Sequence, residues 1–372
     1  MINKSISKII FYAPVGNLIQ GFQNGGAEAG CKKTIEVLNK GGYQLLLVEK
    51  PARKSSSKLD GIILGVNLFR VWLRLIGIMI KDKNAVLHVA GFYLNQIYFE
   101  WLLIKTAKIL KVRTVYEIRN GGMIESIREG GAVYQSYLEA TLLKSTIILC
   151  QGYDYVLFIK ENLGLESTYY PNYIMDSFVS SNETRRELLE PSKLIYCGRV
   201  VPDKNIDFII DVCRELKILK VAFTLDIIGA YETSYHELLQ SKIIQYELAP
   251  YIKFHGRMDF KEIYRHLKAS HFFVFPSKEK REGHSNALTE AMGCGVVPIV
   301  SKAGFNESIV ANSDLVMPTF NPVDYAKSID LILRNKKWKS YSDEVYSRIC
   351  NNYTESIVKN SLLSAYSTIS YI

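Results

Sequence analysis

Residues His271 to Ser301, "HFFVFPSKEKREGHSNALTEAMGCGVVPIVS", decide the fold. "HFFVFPS" has the aromatic and β-branched composition of a strand, and "KEKREGH" is a charged exit loop. Ser285 then stands as an N-cap before a segment that sets Leu288, Ala291 and Met292 on one side of a helix. "VVPIVS" is a second strand. Strand, helix and strand in this order make a βαβ unit with parallel strands, and ligands of such sheets lie beyond the carboxyl ends of the strands. Glu282 is therefore expected at a strand exit, with Asn286, Ala287 and Leu288 turning free backbone N–H groups toward the same space. A helix N-terminus of this kind is an anion site. The spacing of Glu282 and Glu290 alone carries little, because glutamates are common on helix surfaces.

The same alternation runs outward in both directions. "KIIFYAP", "YQLLLVE", "AVLHVA", "VRTVYEI" and "TIILC" read as strands, separated by helix-length stretches such as Gly26–Lys40, Leu68–Ile80 and 93–110. A polar, irregular stretch follows, and the alternation then restarts with "KLIYCG", "FTLDIIG" and "YIKFHG". With 372 residues the chain is long enough for two cores. The expected architecture is α/β, with two tandem Rossmann-like domains facing a cleft. The first covers residues 1–171, a linker 172–192, the second domain 193–350, and a C-terminal helix at 351–372 returns to the first domain.

Two further elements point at the same cleft. In "YCGRVVPDKNID", Gly198 permits a tight exit from a strand, and Arg199 and Lys204 follow where both cations can reach a diphosphate. In "NGGAEAG", Gly25 and Gly26 let backbone approach a ligand, although the spacing is not the dinucleotide fingerprint. Toward the first half, "VLHVAG" and "VYEIRNGGMIE" set His88 and Arg119 at strand exits, as core or ion-pair residues or as contacts to a substrate.

Composition is that of a globular chain, 48% hydrophobic and 22% charged. The six cysteines include no C-x-x-C pair and read as reduced core residues, which favours the cytoplasm. The N-terminus breaks at Pro14 and reads as a first strand and not as a signal peptide. No run of 18 uninterrupted apolar residues is present, so no transmembrane helix is expected. Residues 1–171 hold 21 Lys and Arg against 13 Asp and Glu, leaving 25 against 24 for the remainder of the 46 and 37. Such an excess suits an anionic surface or substrate, or simply solvation.

The residues "GGAE", "YPNYIMD", "GRVVPDKN", "FPSKEKREGHSNALTEAMGCGVVPIVS" and "AGFNESI" together resemble the family 4 retaining glycosyltransferases of GT-B fold, in particular bacterial members that build surface polysaccharides. The likeness covers nearly the whole chain and is strongest from Tyr196 to Ser308. It implies that Arg199 and Lys204 hold the diphosphate of a nucleotide sugar, often UDP-linked, with Gly26 and Gly198 in the same nucleotide-sugar site. It also implies that Glu282 binds the donor sugar near the reacting centre, that Glu290 binds the ribose, and that the helix start at Asn286, Ala287 and Leu288 assists. Arg199, Lys204 and Glu282 are the expected catalytic set, and His88 and Arg119 the expected acceptor-side residues.

The chain departs from the family pattern at His284, where an apolar residue is more usual, and at Asn120, which separates Arg119 from the glycines. No D-x-D occurs in the sequence, so no divalent metal and no cofactor are expected, and the expected partners are a nucleotide-sugar donor and a glycan or lipid-linked acceptor. A basic helical stretch with Arg70 and Arg74 beside Phe69, Trp72, Leu73 and Ile76 adds an anionic membrane surface, with peripheral attachment on the cytoplasmic face. No nucleic-acid partner is expected. A GT-B epimerase or a non-catalytic nucleotide-sugar-binding protein is the alternative reading.

Overall fold

The computed structural model describes residues 6–16, 26–53, 55–91, 95–180 and 187–369. The chain divides into two compact units, Met1–Pro171 with Lys359–Ile372, and Asn172–Val358. In the first, β1 (Ile9–Ala13), β2 (Leu45–Glu49), β3 (Val86–Gly91), β4 (Arg113–Ile118), β5 (Ile147–Cys150) and β6 (Thr168–Tyr169) alternate with helices. The helices are α1 (Gly26–Lys40), α2 (Lys58–Lys81), α3 (Gln96–Ile109), α4 (Met123–Lys144) and α5 (Tyr153–Leu163). The sheet order is β2-β1-β3-β4-β5-β6 with every pairing parallel. A parallel sheet covered on both faces demands strands without a polar side, and β1, β3 and β5 are buried at every residue.

The second unit begins with α6 (Asp176–Ser180) and continues through β7 (Ser192–Cys197), α7 (Ile206–Ile218), β8 (Phe223–Ile228), α8 (Thr233–Gln245), β9 (Ile252–Gly256) and α9 (Phe260–Ala269). Next come β10 (Phe272–Phe275), α10 (Asn286–Gly293), β11 (Val297–Ser301), α11 (Asn306–Val310), β12 (Val316–Met317), α12 (Pro322–Arg334) and α13 (Trp338–Asn352). Its sheet order is β12-β11-β10-β7-β8-β9, again parallel throughout. Chain direction across the sheet therefore reverses between β7 and β10, and in the first unit between β1 and β3. These switch points are where open α/β sheets leave a crevice for ligand.

Three expectations need correction. The stretch read as a linker joins the second unit in its first half. Tyr173, Ile174, Phe178 and Val179 are buried there, Ile174 N–H donates to Tyr353 O at 2.9 Å, and the Phe178 ring packs, tilted, 4.4 Å from that of Tyr264. Its apolar residues were masked by the polar run that follows, of which residues 181–186 lie outside the described residues.

At the tail no correction is needed: α13 belongs to the second unit, and α14 (Glu355–Thr368) counts with the first from Lys359. The helix expected at Leu68–Ile80 starts ten residues earlier, because Ser57 caps it by accepting from Asp60 N–H at 3.1 Å. At 24 residues α2 is long and apolar enough to cross a membrane by length and composition, which the search for an uninterrupted run had missed.

Candidate functional site

In the second unit the site forms where β7 and β10 end side by side. The chain leaves β7 through Gly198, and Gly229, at the end of β8, lies so close that a Cβ on it would stand 1.7 Å from Gly198 O. Only glycine fits there. Tyr196 O–H donates to Arg199 O at 3.0 Å, which fixes the turn and leaves the Arg199 side chain exposed. A single 3-10 turn, Pro202–Lys204, then points Lys204 back over the end of β10, with its ammonium 5.9 Å from the Phe275 ring. Asn205 Nδ2 donates to Pro276 O at 3.0 Å and ties the two strand exits together.

Glu282 meets Lys204 there. Lys204 Nζ donates to Glu282 Oε2 at 2.9 Å, and Ser277 Oγ donates to the same oxygen at 3.0 Å. The two charged side chains are 23% and 14% exposed, so the pair is partly desolvated and still open on one side. Glu282 Oε1 makes no hydrogen bond among the described residues. Gly304, at φ +51°, closes over the loop, and a Cβ at that position would lie 1.9 Å from Glu282 O. Ser277 thus bonds the loop through the Glu282 carboxylate, and Gly304 packs against its backbone. The expected division of labour, Lys204 on phosphate and Glu282 on sugar, has to accommodate their direct contact.

Helix α10 starts at the expected cap. Ser285 is the N-cap, and its Oγ accepts from Leu288 N–H at 3.3 Å, so Leu288 offers no free donor. An N-cap side chain takes the N3 amide, so of the three expected donors Leu288 is already spent. Glu290 is half-buried on the same helix. It lies near enough to Cys197 that, after burial itself, its charge does most to push that thiol up. His284 is buried: its ring packs 4.9 Å from Tyr353 and its carbonyl accepts from Asn172 Nδ2 at 2.7 Å. It fills an interior slot.

The first unit treats its charged residues differently. His88 Nδ1 lies 2.7 Å from Tyr366 O–H and Nε2 3.1 Å from Glu117 Oε2. Arg119 donates to Glu117 and, at 2.7 Å, to Thr34 Oγ1, which contacts Tyr170 O–H at 3.1 Å. All six side chains are buried. Burial pushes the Glu117 carboxyl up, but Arg119 and His88 outweigh it and hold it below the ordinary carboxylate range. The acceptor-side assignment of His88 and Arg119 therefore meets side chains already spent on an internal network. A second such cluster joins Lys50 to Glu100, which also accepts from Tyr116 O–H at 2.6 Å. Gly26 opens α1, and its neighbour Gly25 lies outside the described residues.

Solved structures share this architecture along its whole length. HepE of Anabaena, solved in complex with UDP, superposes with a TM-score of 0.67 at 13% identity, covering 97% of this chain and 100% of that one. A glycosyltransferase of Rickettsia africae does so at 0.70 and 13%, covering 98% of each. The fold is GT-B. Residues 181–348 of this GT-B chain match the family described as glycosyl transferases group 1. The capsular polysaccharide biosynthesis glycosyltransferase CapH of Staphylococcus aureus is 30% identical over 178 residues, 46% of this chain and 48% of CapH. The match thus spans about half the length of that relative.

Sequence reading of this GT-B chain missed Ser277, Asn205 and Gly304, which build the frame around Glu282. A serine two residues past an all-apolar strand was the available signal for Ser277, since a polar group beside such a strand needs a partner.

Proposed function

We propose that the protein is a retaining, metal-independent glycosyltransferase. It moves a hexose or N-acetylhexosamine from a nucleotide-diphosphate sugar, with uridine as the base, to a glycan or lipid-linked acceptor during surface-polysaccharide synthesis. The observation that carries this reading is the contact of Lys204 with Glu282 at the β7/β10 switch point, beside the N-terminus of α10. The family matched by residues 181–348 and the name of CapH support it.

The chemistry follows from the charges. Breaking the bond between the sugar carbon and phosphate oxygen leaves negative charge on the departing diphosphate. Arg199, the two Lys204 N–H groups not given to Glu282, and the positive end of α10 are fixed where that charge develops. The free Glu282 Oε1 accepts a sugar hydroxyl, and its charge favours the oxocarbenium character of the transition state. Glu290 accepts from the ribose. The acceptor oxygen bonds the sugar carbon on the face the diphosphate leaves, and its proton passes to a phosphate oxygen.

Nucleotide release from a panel of nucleotide sugars, with an acceptor extract and with excess chelator, tests this. Release that persists in chelator and favours UDP donors is expected. Loss in chelator with recovery on magnesium or manganese would overturn metal independence, and no binding of any nucleotide sugar would overturn the whole reading.

The proposal extends to place the enzyme at the cytoplasmic face of a membrane, on an anionic surface. Helix α2 turns Trp72, Leu75 and Met79 inward, with Trp72 Nε1 donating to Thr106 Oγ1 at 3.0 Å. The opposite side exposes Leu59, Ile62, Ile63, Val66, Phe69 and Leu73 beside Arg70 and Arg74. A helix fixed along one side can lie in a lipid interface but not cross it, and an apolar face edged with arginine suits anionic headgroups.

A further inference from the structure

At the far edge of the second sheet three metal-ligating side chains converge from three elements. Asp226 lies on β8, His255 on the edge strand β9, and His266 on α9. His255 Nε2 is 2.6 Å from Asp226 Oδ1, His266 Nδ1 is 3.1 Å from Asp226 Oδ2, and the two imidazole rings stand 4.6 Å apart. The ligand atoms all lie within 4.8 Å of one another. None of this belongs to the donor site, which lies at the ends of β7 and β10.

Local construction brings these groups together. The pairing of β8 with β9 runs Ile227 with Phe254 and then Ile228 with Gly256, so His255 is the extra residue of a β-bulge. Bulges are rare in parallel pairs and re-aim a side chain where they occur. Asp226 interrupts an otherwise apolar strand, "FTLDII", with a carboxylate. Helix α9 is set by a capping box, Asp259 with Glu262, which fixes where its last turn, and hence His266, arrives. No lysine or arginine salt-bridges Asp226, so two imidazoles are the only basic side chains bonded to it among the described residues.

We propose that Asp226, His255 and His266 form a binding site for a divalent transition-metal ion, with zinc as the best fit. Two imidazole nitrogens and one carboxylate oxygen are a borderline donor set of the kind zinc takes at three positions, leaving the fourth to water. Bonds of about 2.0–2.1 Å set ligand atoms roughly 3.3 Å apart in a tetrahedron. That is within reach of small rotations of Asp226 and His266, which are 31% and 28% exposed and so free to adjust. The bound ion would pin the edge strand β9 to β8 and α9, a structural clamp separate from the transfer chemistry. Without metal, each ring donates one N–H to the carboxylate, so the apoprotein is also satisfied and folds.

The full chain, stripped with chelator and dialysed, is titrated with zinc against a chromophoric competitor. One zinc per chain is expected, with affinity falling at least a hundredfold in Asp226→Asn and in the double variant His255→Asn/His266→Gln. Cobalt substitution should give the intense visible bands of a four-coordinate nitrogen and oxygen site, without sulfur-to-metal charge transfer. Zinc should raise the melting temperature of the wild type and leave that of the double variant unchanged. Because Asp226→Asn keeps the size of the side chain, it guards against a loss caused by misfolding, checked by circular dichroism. Equal zinc affinity in the variants, a thiolate band with cobalt, or no uptake by the wild type at micromolar zinc would each overturn the proposal. Chelator should lower the melting temperature while sugar transfer continues at lower temperature, which separates this site from the donor site.

Discussion

On β3, on β4 and just past β4, the first unit holds His88, Glu117 and Arg119 in turn, at no more than 6% exposure. At the exits of β7 and β10, the second unit holds Lys204 and Glu282 at 23% and 14%. Both sets are ion pairs near a switch point, and both look functional in a list of charged residues. The difference lies in what remains available to a ligand. In the first set both His88 nitrogens have protein partners and both Glu117 oxygens are taken. In the second, Glu282 keeps one oxygen and Lys204 two N–H groups. The first network is a frame, and the second is a surface with charge to offer.

The comparison breaks most sharply at Glu117. Removing one partner of a buried charge pair strands the other, at a cost of about 3–5 kcal/mol. Glu117→Ala should therefore lower the unfolding free energy by that amount, measured by denaturant titration. A variant as stable as wild type would show that the cluster is not a frame. The pH dependence has a definite sign. The Glu117 carboxyl is held below its ordinary value, so its contribution is fully present above the unfolded value near 4.3 and is lost as pH falls through the folded one. The acid limb of stability against pH should be shallower in Glu117→Gln than in wild type.

Lys204→Ala should do the reverse. Removing a donor from developing negative charge costs about 2.7–4 kcal/mol in the transition state, a hundred- to a thousandfold in turnover. Loss of a half-open pair should change stability by only about 1 kcal/mol. Glu282→Ala should likewise lose most turnover. Steady-state kinetics beside thermal melts decide it, and a Lys204→Ala protein that unfolds early or turns over normally would erase the contrast between the units.

Glu290→Ala sharpens the comparison within the second unit. One charged hydrogen bond is worth roughly 1.5–3 kcal/mol, so donor affinity should weaken ten- to a hundredfold with turnover at saturation near wild type. Unchanged donor affinity by calorimetry would remove Glu290 from the site.

Particular residues show what could be read from sequence. The α10 start was legible because Ser285, the apolar positions after it and the flanking strands are all local signals, and those were enough to set Glu282 at a strand exit. The Lys204–Glu282 contact spans 78 residues and His88–Tyr366 spans 278. No local pattern reports such partners, so His88 and Arg119 could be seen as charged and not as occupied. The Asp226, His255 and His266 group failed for the same reason, and its only local trace is an aspartate inside an apolar strand. Helix α2 was misjudged at its front because Gly61 and Gly65 weaken the helical pattern and its apolar side chains face outward.

That outward face makes the last and smallest prediction, and it completes the contrast between the units. If the first unit encloses its charges as a frame, its contact surface is α2, where apolar side chains stand exposed beside Arg70 and Arg74. Each basic residue near an anionic surface contributes roughly 1 kcal/mol, so the arginines alone give weak, salt-sensitive attachment, and the apolar face must add to it. The protein should sediment with anionic but not neutral liposomes at low salt. Arg70→Glu with Arg74→Glu should abolish sedimentation while donor binding by the second unit survives. Ile62→Ser with Ile63→Ser should weaken it without changing its dependence on salt, since those side chains carry no charge. Equal recovery in the supernatant with both liposome types would leave α2 without a lipid partner and return the positive charge of residues 1–171 to the acceptor or to solubility.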